Sequence, residues 1–342
     1  MPVGPSRKLL PSYLWPWRDG VVDNRDVNTR LARPTSPVAE EAKHRKMSHK
    51  LTFSTGYGGS RFATYWGLVK THRRPDGIAE EQYRVFQEAL ATMTAYVDLP
   101  LNQSRALEIG CGQRFTLTLL LDAFGVRATG IDVDYVAPKL TPRAFSRIWR
   151  SNGLERAIKT AARRALFDRQ YYAALARTSD KTLSRESLDL RVMDACALAF
   201  RDDEFDFICS RAVFEHVHDV DRASSEMARV LKRSGAAWLV ICPFPGLSGG
   251  HHADWSDPDE DRERAVPAWD HLREQQYVHD AFLNKLRVGD YLDIFARHLT
   301  VVRATPRFQG ERYLTPEIRK ELDNFSREDL LTTTFTVVLR KD

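Results

Sequence analysis

The chain has 342 residues, of which 43% are hydrophobic, 28% charged and 10% aromatic. That balance excludes a wholly disordered, collagen-like or disulfide-stapled chain and supplies enough apolar residues for a large core. Fifty-one Lys and Arg against 46 Asp and Glu leave a net charge of +5. The excess sits in two segments, 1–50 with ten basic and five acidic side chains and 139–191 with thirteen and five, so the rest of the chain is acidic.

In chain order, residues 1–50 are rich in Pro, Arg and Asp without an apolar period, and are expected to form a flexible basic arm. Pro2, Pro5, Pro11 and Pro16 interrupt any secretory h-region. No run approaches the roughly 18 apolar residues of a membrane helix. Cys111, Cys196, Cys209 and Cys242 stand apart, without CxxC spacing, and read as reduced buried thiols. A cytoplasmic protein is the expectation.

Residues 51–100 read as an N-terminal lid and helix, with the Gly-rich LTFSTGYGGS at 51–60 and a helix over 79–97. From 101 to 342 the pattern alternates. ALEI (106–109) precedes Gly110-Cys111-Gly112 and a helix-like run over 115–124. VRATGI (126–131) ends at Asp132, and LDLRVM (188–193) ends at Asp194. FDFICS (205–210) leads into a helix over 220–232, followed by AAWLVI (236–241). Strands separated by helical crossovers predict an α/β fold with a mostly parallel sheet covered on both faces. LTVVRAT (299–305) and TTTFTVVLR (332–340) predict an antiparallel pair at one edge.

Two insertions interrupt this order. In 138–187, Leu154, Ile158, Ala162, Ala165 and Leu166 mark an amphipathic helix with Arg on its outer side. Segment 243–280, beyond the fifth strand, lies where parallel sheets bind ligands. Its Trp255, Trp269 and Tyr277, with a helix near 280–297, either wall an acceptor pocket or pack as an ordinary lid, the second being the simpler reading.

The strongest signal is Glu108-Ile-Gly-Cys-Gly112 with Asp132 at the end of the next strand. Glycines let the backbone approach a ligand, and an acidic residue at a strand tip accepts from ribose hydroxyls. Phe115 stands where a dinucleotide fingerprint needs its third glycine, and no GxxxxGK[ST] run is present. A nucleoside ligand without pyrophosphate is therefore expected.

These motifs, with GlyIleAsp at 130–132, MetAspAla at 193–195, PheGluHisVal at 214–217 and MetAlaArgValLeuLysArgSerGly at 227–235, resemble the class I S-adenosylmethionine-dependent methyltransferases, closest to a type 11-like small-molecule subgroup. The resemblance covers about residues 100–245. It implies a Rossmann-like seven-stranded sheet with an antiparallel C-terminal edge strand, and S-adenosylmethionine as cofactor. Glu108 and the backbone of Gly110, Cys111 and Gly112 would hold the methionine end, Asp132 the ribose, and Val133 would pack on adenine. Asp194 and the Ala195 N–H would take the adenine edge, and Ser210 and Arg211 would flank the sulfonium. Lys232-Arg-Ser-Gly235 departs from the subgroup's Lys-Pro-Gly-Gly, at a turn away from the site.

An alcohol or phenol acceptor benefits from a base, worth roughly 10²–10⁴-fold. His216, His251 and His252 are the catalytic candidates, with His218 a further histidine nearby and Asp254 a partner for one of them. Surface or capping roles compete for each. His251, His252, Asp254 and Asp257 have the residue types of a metal site, but such loops are more often merely polar, and no metal is assigned. The reading is O-methylation of a small molecule. The alternatives are an RNA or protein methyltransferase suited to the basic segments, a NAD-dependent oxidoreductase, and a nucleoside-binding protein without turnover. Ser210-Arg-Ala-Val in place of an NPPY-type tetrapeptide, and Phe115, weigh against the first two.

Overall fold

The computed structural model describes residues 75–261, 263–276 and 282–342. The expected arm (1–50), the Gly-rich lid loop (51–60) and Tyr277 lie outside the described residues. Seven strands form one sheet in the order β3-β2-β1-β4-β5-β7-β6. They are β1 (Arg105–Ile109), β2 (Arg127–Asp132), β3 (Asp189–Val192), β4 (Phe205–Arg211), β5 (Leu231–Ile241), β6 (Thr300–Phe308) and β7 (Thr332–Arg340). Strands β1 to β5 pair in parallel, and β7 runs antiparallel to both β5 and β6. The antiparallel strand thus lies inside the sheet, and β6 forms the edge. Chain order reverses between β1 and β4, the switch point at which open α/β sheets bind ligands beyond their carboxyl ends.

Alternating residues of the central strands feed two cores. Leu107, Ile109, Ile208, Leu239 and Ile241 face one layer, with α6 (Val220–Val230) and α7 (Val288–Phe295). Ala106, Phe207, Cys209 and Trp238 face the other, with α1 (Pro75–Tyr96) and α2 (Thr116–Ala123). Strands buried on both faces read as continuous apolar runs, which is why β4 and the second half of β5 lack a polar alternation. The helix expected near 280–297 forms only over Val288–Phe295. Trp255 and Trp269 do not wall a pocket: both are buried in a satellite core with Leu247, Val266, Leu330 and Leu331. Each indole N–H is satisfied there, by the Val266 and Leu330 carbonyls.

The insertion after β2 holds α3 (Pro142–Asn152) and a long helix of three parts: α4 (Leu154–Arg163), a π-helical turn over Arg164–Asp168 and α5 (Arg169–Ser179). Its α4 and π-turn portion faces opposite to expectation. Leu154, Ile158 and Leu166 are 47%, 50% and 63% exposed, whereas Ala157, Thr160 and Asp168 are buried. The arginines turn inward. Arg163 donates to Asp168 and to the Gln113 carbonyl, Arg164 to the Ala137 carbonyl, and Arg156 pairs with Asp134 at 3.0 Å. Guanidinium forks carry enough donors to satisfy these acceptors, and their stems bury like apolar chains.

This orientation predicts a ranking that denaturant unfolding checks. Leu166→Lys should stay within about 0.5 kcal/mol of the parent. Ala157→Glu should lose more than about 2 kcal/mol, because it buries an unpaired carboxylate. The opposite ranking would turn the helix over.

Candidate active site

The turn after β1 is set by backbone geometry. Gly110 and Gly112 have φ of 76° and 61°. A Cβ on Gly110 would lie 2.2 Å from the Val213 side chain, whereas one on Gly112 meets nothing within 4 Å. The first glycine is therefore required by packing against the segment after β4, and the second faces open space that a ligand can enter. The N–H groups of Gly110 and Cys111 both donate to the Ile131 carbonyl. Phe115, at φ 41° and fully buried, caps α2 and fills the space that a third glycine would leave.

Asp132 ends β2 beside this turn. One carboxylate oxygen accepts from the Gly112 N–H and the other from the Asp134 N–H, each at 2.8 Å. Burial raises its pKa, while these two bonds and Arg156 lower it. Val133, next along, is 50% exposed. Asp194 follows β3, is exposed, and accepts from the Cys196 N–H at 2.8 Å; Ala195 is buried beside it. The carboxylates of Asp132 and Asp194 and the glycine turn therefore stand at the carboxyl ends of three adjacent strands.

Glu108 and Ser210 are placed differently from the other residues of the motif. Glu108 is 6% exposed, and its carboxylate accepts from the N–H and hydroxyl of Thr118 in α2, beneath the turn. Burial pushes its pKa up to about 7 against the pull of those bonds. Ser210 donates to the Ile109 carbonyl, tying β4 to β1. Arg211 reaches back to Glu81 on α1 at 2.9 Å. The four thiols are free, three of them buried and Cys242 half-buried.

On the other side of the sheet's mouth, the short 3₁₀ turn Phe214–His216 and segment 243–276 bring the histidines together. The rings of His216 and His251 meet edge-on at 4.8 Å. His216 bonds through Nδ1 to the Phe282 carbonyl. His251, held at φ 55°, sets Nε2 3.8 Å from Glu215. His252 accepts the Asp254 N–H through Nδ1, and Asp254 itself accepts from the N–H groups of Ala265 and Val266. Asp254 thus braces its own loop, with its carboxylate 3.9 Å from His252. His218 is exposed and lies apart, toward Asp194 and Cys196.

Glu215 is the residue that sequence reasoning passed over as a site residue. It is 2% exposed, and burial pushes its pKa up to about 7. Asn284 fixes its turn, with the amide donating to the Phe214 and Val217 carbonyls and its N–H to the Glu215 carbonyl. The Tyr291 hydroxyl in turn donates to Asn284. The glutamate between Phe214 and His216 in PheGluHisVal was the available signal, since Glu is rarely buried without a partner.

Residues 157–239 match the family model described as a methyltransferase domain. A demethylmenaquinone methyltransferase of Thermobifida fusca is 42% identical over 64 residues, 19% of this chain. The chain spans about a quarter of the length of that curated relative. Among solved structures, geranyl diphosphate C-methyltransferase of Streptomyces coelicolor shares 14% identity over 73% of this chain and 75% of its own, with a TM-score of 0.39. A S-adenosylmethionine-dependent methyltransferase of Methanosarcina mazei shares 17% over 70% and 92%, with a TM-score of 0.38. Residues 157–239, which run from the insertion through β3 and β4 into β5, thus resemble a methyltransferase domain, within a sheet whose strand ends carry the glycine turn, Asp132 and Asp194.

Glu108 yields a stability prediction. A carboxyl whose pKa is higher folded than unfolded contributes stability at low pH that is lost as pH rises, here from about 4.5 to about 7. Glu108→Gln keeps a carbonyl oxygen for Thr118 and removes the titration. Urea unfolding at pH 5 and pH 8 should show a smaller difference for the variant than for the parent, with the variant the more stable at pH 8. An unchanged difference would show that Glu108 ionises freely.

Proposed function

We propose that the domain is catalytically active and O-methylates a small molecule with S-adenosylmethionine. The observation that supports this best is the pairing of Asp132, whose carboxylate is fixed by two backbone N–H groups, with the half-exposed Val133 beside an open glycine turn. An oriented carboxylate suits vicinal hydroxyls, and an apolar side chain left in solvent suits the face of a base. In this reading Asp132 holds the ribose, Val133 packs on adenine, Asp194 and the Ala195 N–H read the adenine edge, and the Gly110–Gly112 backbone takes the methionine end. Glu108 and Ser210 act as positioning residues, one holding α2 under the turn and the other holding β4 against β1.

When bound, the cofactor supplies a methyl group on a sulfonium, an activated electrophile. The protein's work is then alignment of an acceptor and exclusion of water. His251 is the group that acts on the acceptor oxygen, because its Nε2 is the imidazole nitrogen that stands beside a buried carboxylate. His216 and His252 have one nitrogen engaged with backbone and support the loop around it. The relative's name, a methyltransferase of a small molecule, agrees with a small acceptor. The inward turn of Arg156, Arg163 and Arg164 weakens the case for the insertion as an RNA-docking face.

Calorimetric titration with S-adenosylmethionine, S-adenosylhomocysteine and NAD tests the first step. Both sulfur nucleosides should bind and NAD should not, and binding of NAD alone would overturn the reading. Asp132→Ala should weaken the nucleosides by roughly ten- to hundredfold, the loss of one charge-assisted contact. On a turned-over acceptor, His251→Ala should lower kcat by about 100-fold or more with cofactor affinity retained. An intact kcat would remove His251 from the acceptor side.

A further inference from the structure

Glu215, Cys242 and His251 place one ligand atom each, a carboxylate oxygen, Sγ and an imidazole nitrogen, within 4.8 Å of one another. The three come from different elements: the turn after β4, the residue following β5, and the loop that Gly249 and Gly250 lead into. A Cβ on Gly249 would meet the Phe244 carbonyl at 2.1 Å and one on Gly250 the His271 ring at 2.7 Å, so this approach to His251 tolerates no side chain. The set is therefore held by tertiary packing and not by local sequence.

A second observation points to a ligand. The Glu215 side chain is 3% exposed, and neither oxygen completes a hydrogen bond of good geometry. The thiol and N–H of Cys242 point toward it, and His251 Nε2 stands 3.8 Å away. The three donor atoms converge where a cation would satisfy the Glu215 oxygens. A dication bound there holds a carboxylate and a thiolate deprotonated.

We propose that Glu215, Cys242 and His251 bind a divalent transition-metal ion of the zinc type, with one coordination position left for the acceptor. Thiolate and imidazole donors select zinc over magnesium or calcium. Tetrahedral zinc with bonds of about 2.0–2.3 Å needs ligand atoms roughly 3.3–3.8 Å apart, so the three groups close by a rotamer adjustment. Three protein ligands and an open fourth position are the arrangement of catalytic zinc, whereas structural sites use four. The inference deepens the methyltransferase reading, assigning His251 its action on the acceptor through the ion. A second group, Asp194, Cys196 and His218, also lies within that range, but its aspartate caps the Cys196 N–H and two of its members are exposed.

The test uses the full chain, stripped with a chelator and reloaded with Zn²⁺ or Co²⁺. One equivalent of zinc per chain by elemental analysis is expected, and with Co²⁺ a thiolate-to-metal charge-transfer band. Cys242→Ser should abolish the band. Glu215→Gln, close in shape to the parent, should weaken metal affinity by more than the roughly 10–100-fold typical of losing an outer-shell partner. Cys196→Ser should keep the band. S-adenosylhomocysteine titration of each variant reports the fold and the cofactor side separately. No metal in a parent protein that binds S-adenosylhomocysteine would overturn the proposal and leave the methyltransferase reading standing. A band lost in Cys196→Ser and kept in Cys242→Ser would also overturn it. A parent that binds cobalt with the band but no nucleoside would fail the methyltransferase reading alone.

Discussion

The site hangs on one carboxylate. A chain leaving β1 must reverse into α2 within a few residues, and the glycine turn that does so leaves backbone N–H groups directed outward. Gly110 and Cys111 find the Ile131 carbonyl, and Gly112 finds Asp132. Both acceptors belong to the end of β2, so the parallel pairing of β1 and β2 positions the turn. Asp132 uses its second oxygen to shape its own loop through Asp134, and Asp134 draws in Arg156 from the insertion. One side chain therefore links the turn, the strand tip and the helical insertion.

Around this anchor the fold concentrates groups whose burial is costly. Glu108 lies under the turn, Glu215 behind the histidines, and Asp168 among Arg114, Arg163 and Arg164. The three are managed in different ways. Asp168 is surrounded by guanidinium groups, Glu108 has a backbone and a hydroxyl donor from one helix, and Glu215 has neither in good geometry. Glu215 alone of the three faces an imidazole and a thiol. That contrast separates Glu215 from the other two more sharply than depth of burial, which all three share.

How much of this was readable follows from where each pattern is local. TTTFTVVLR at 332–340 alternates cleanly, and β7 occupies the same residues. Gly110, Gly112, Asp132 and Asp194 were readable because each sits at a strand end, where glycine and acid break an apolar run. The insertion was misread because apolar periodicity carries no knowledge of what the other face meets. Arg163 and Arg164 turn inward for Asp168 and for the Gln113 and Ala137 carbonyls, acceptors supplied by other parts of the chain. The small Ala157 and Thr160 then admit close packing, and Leu154, Ile158 and Leu166 are left in solvent. Trp255 and Trp269 were ambiguous for a related reason. An indole packs equally well on a ligand or on a leucine cluster, and only the tertiary placement of Leu330 and Leu331 decides.

The two halves of the site differ in how they are assembled, and this has a functional consequence. The proposed cofactor half is local: each residue lies at the end of its own strand or within three positions beyond it, and adjacent strands set their spacing. The acceptor half joins Glu215, Cys242, His251, Phe282, Asn284 and Tyr291 through long-range contacts, among them the bonds from Asn284 to the turn holding Glu215. In the proposed reading, changes in loop 243–276 or in the approach to α7 act on acceptor chemistry while leaving the strand tips in place. The sheet would then fix where the methyl group is presented, and the contacts that Asn284 and Tyr291 bring to the turn of Glu215 would shape the acceptor side.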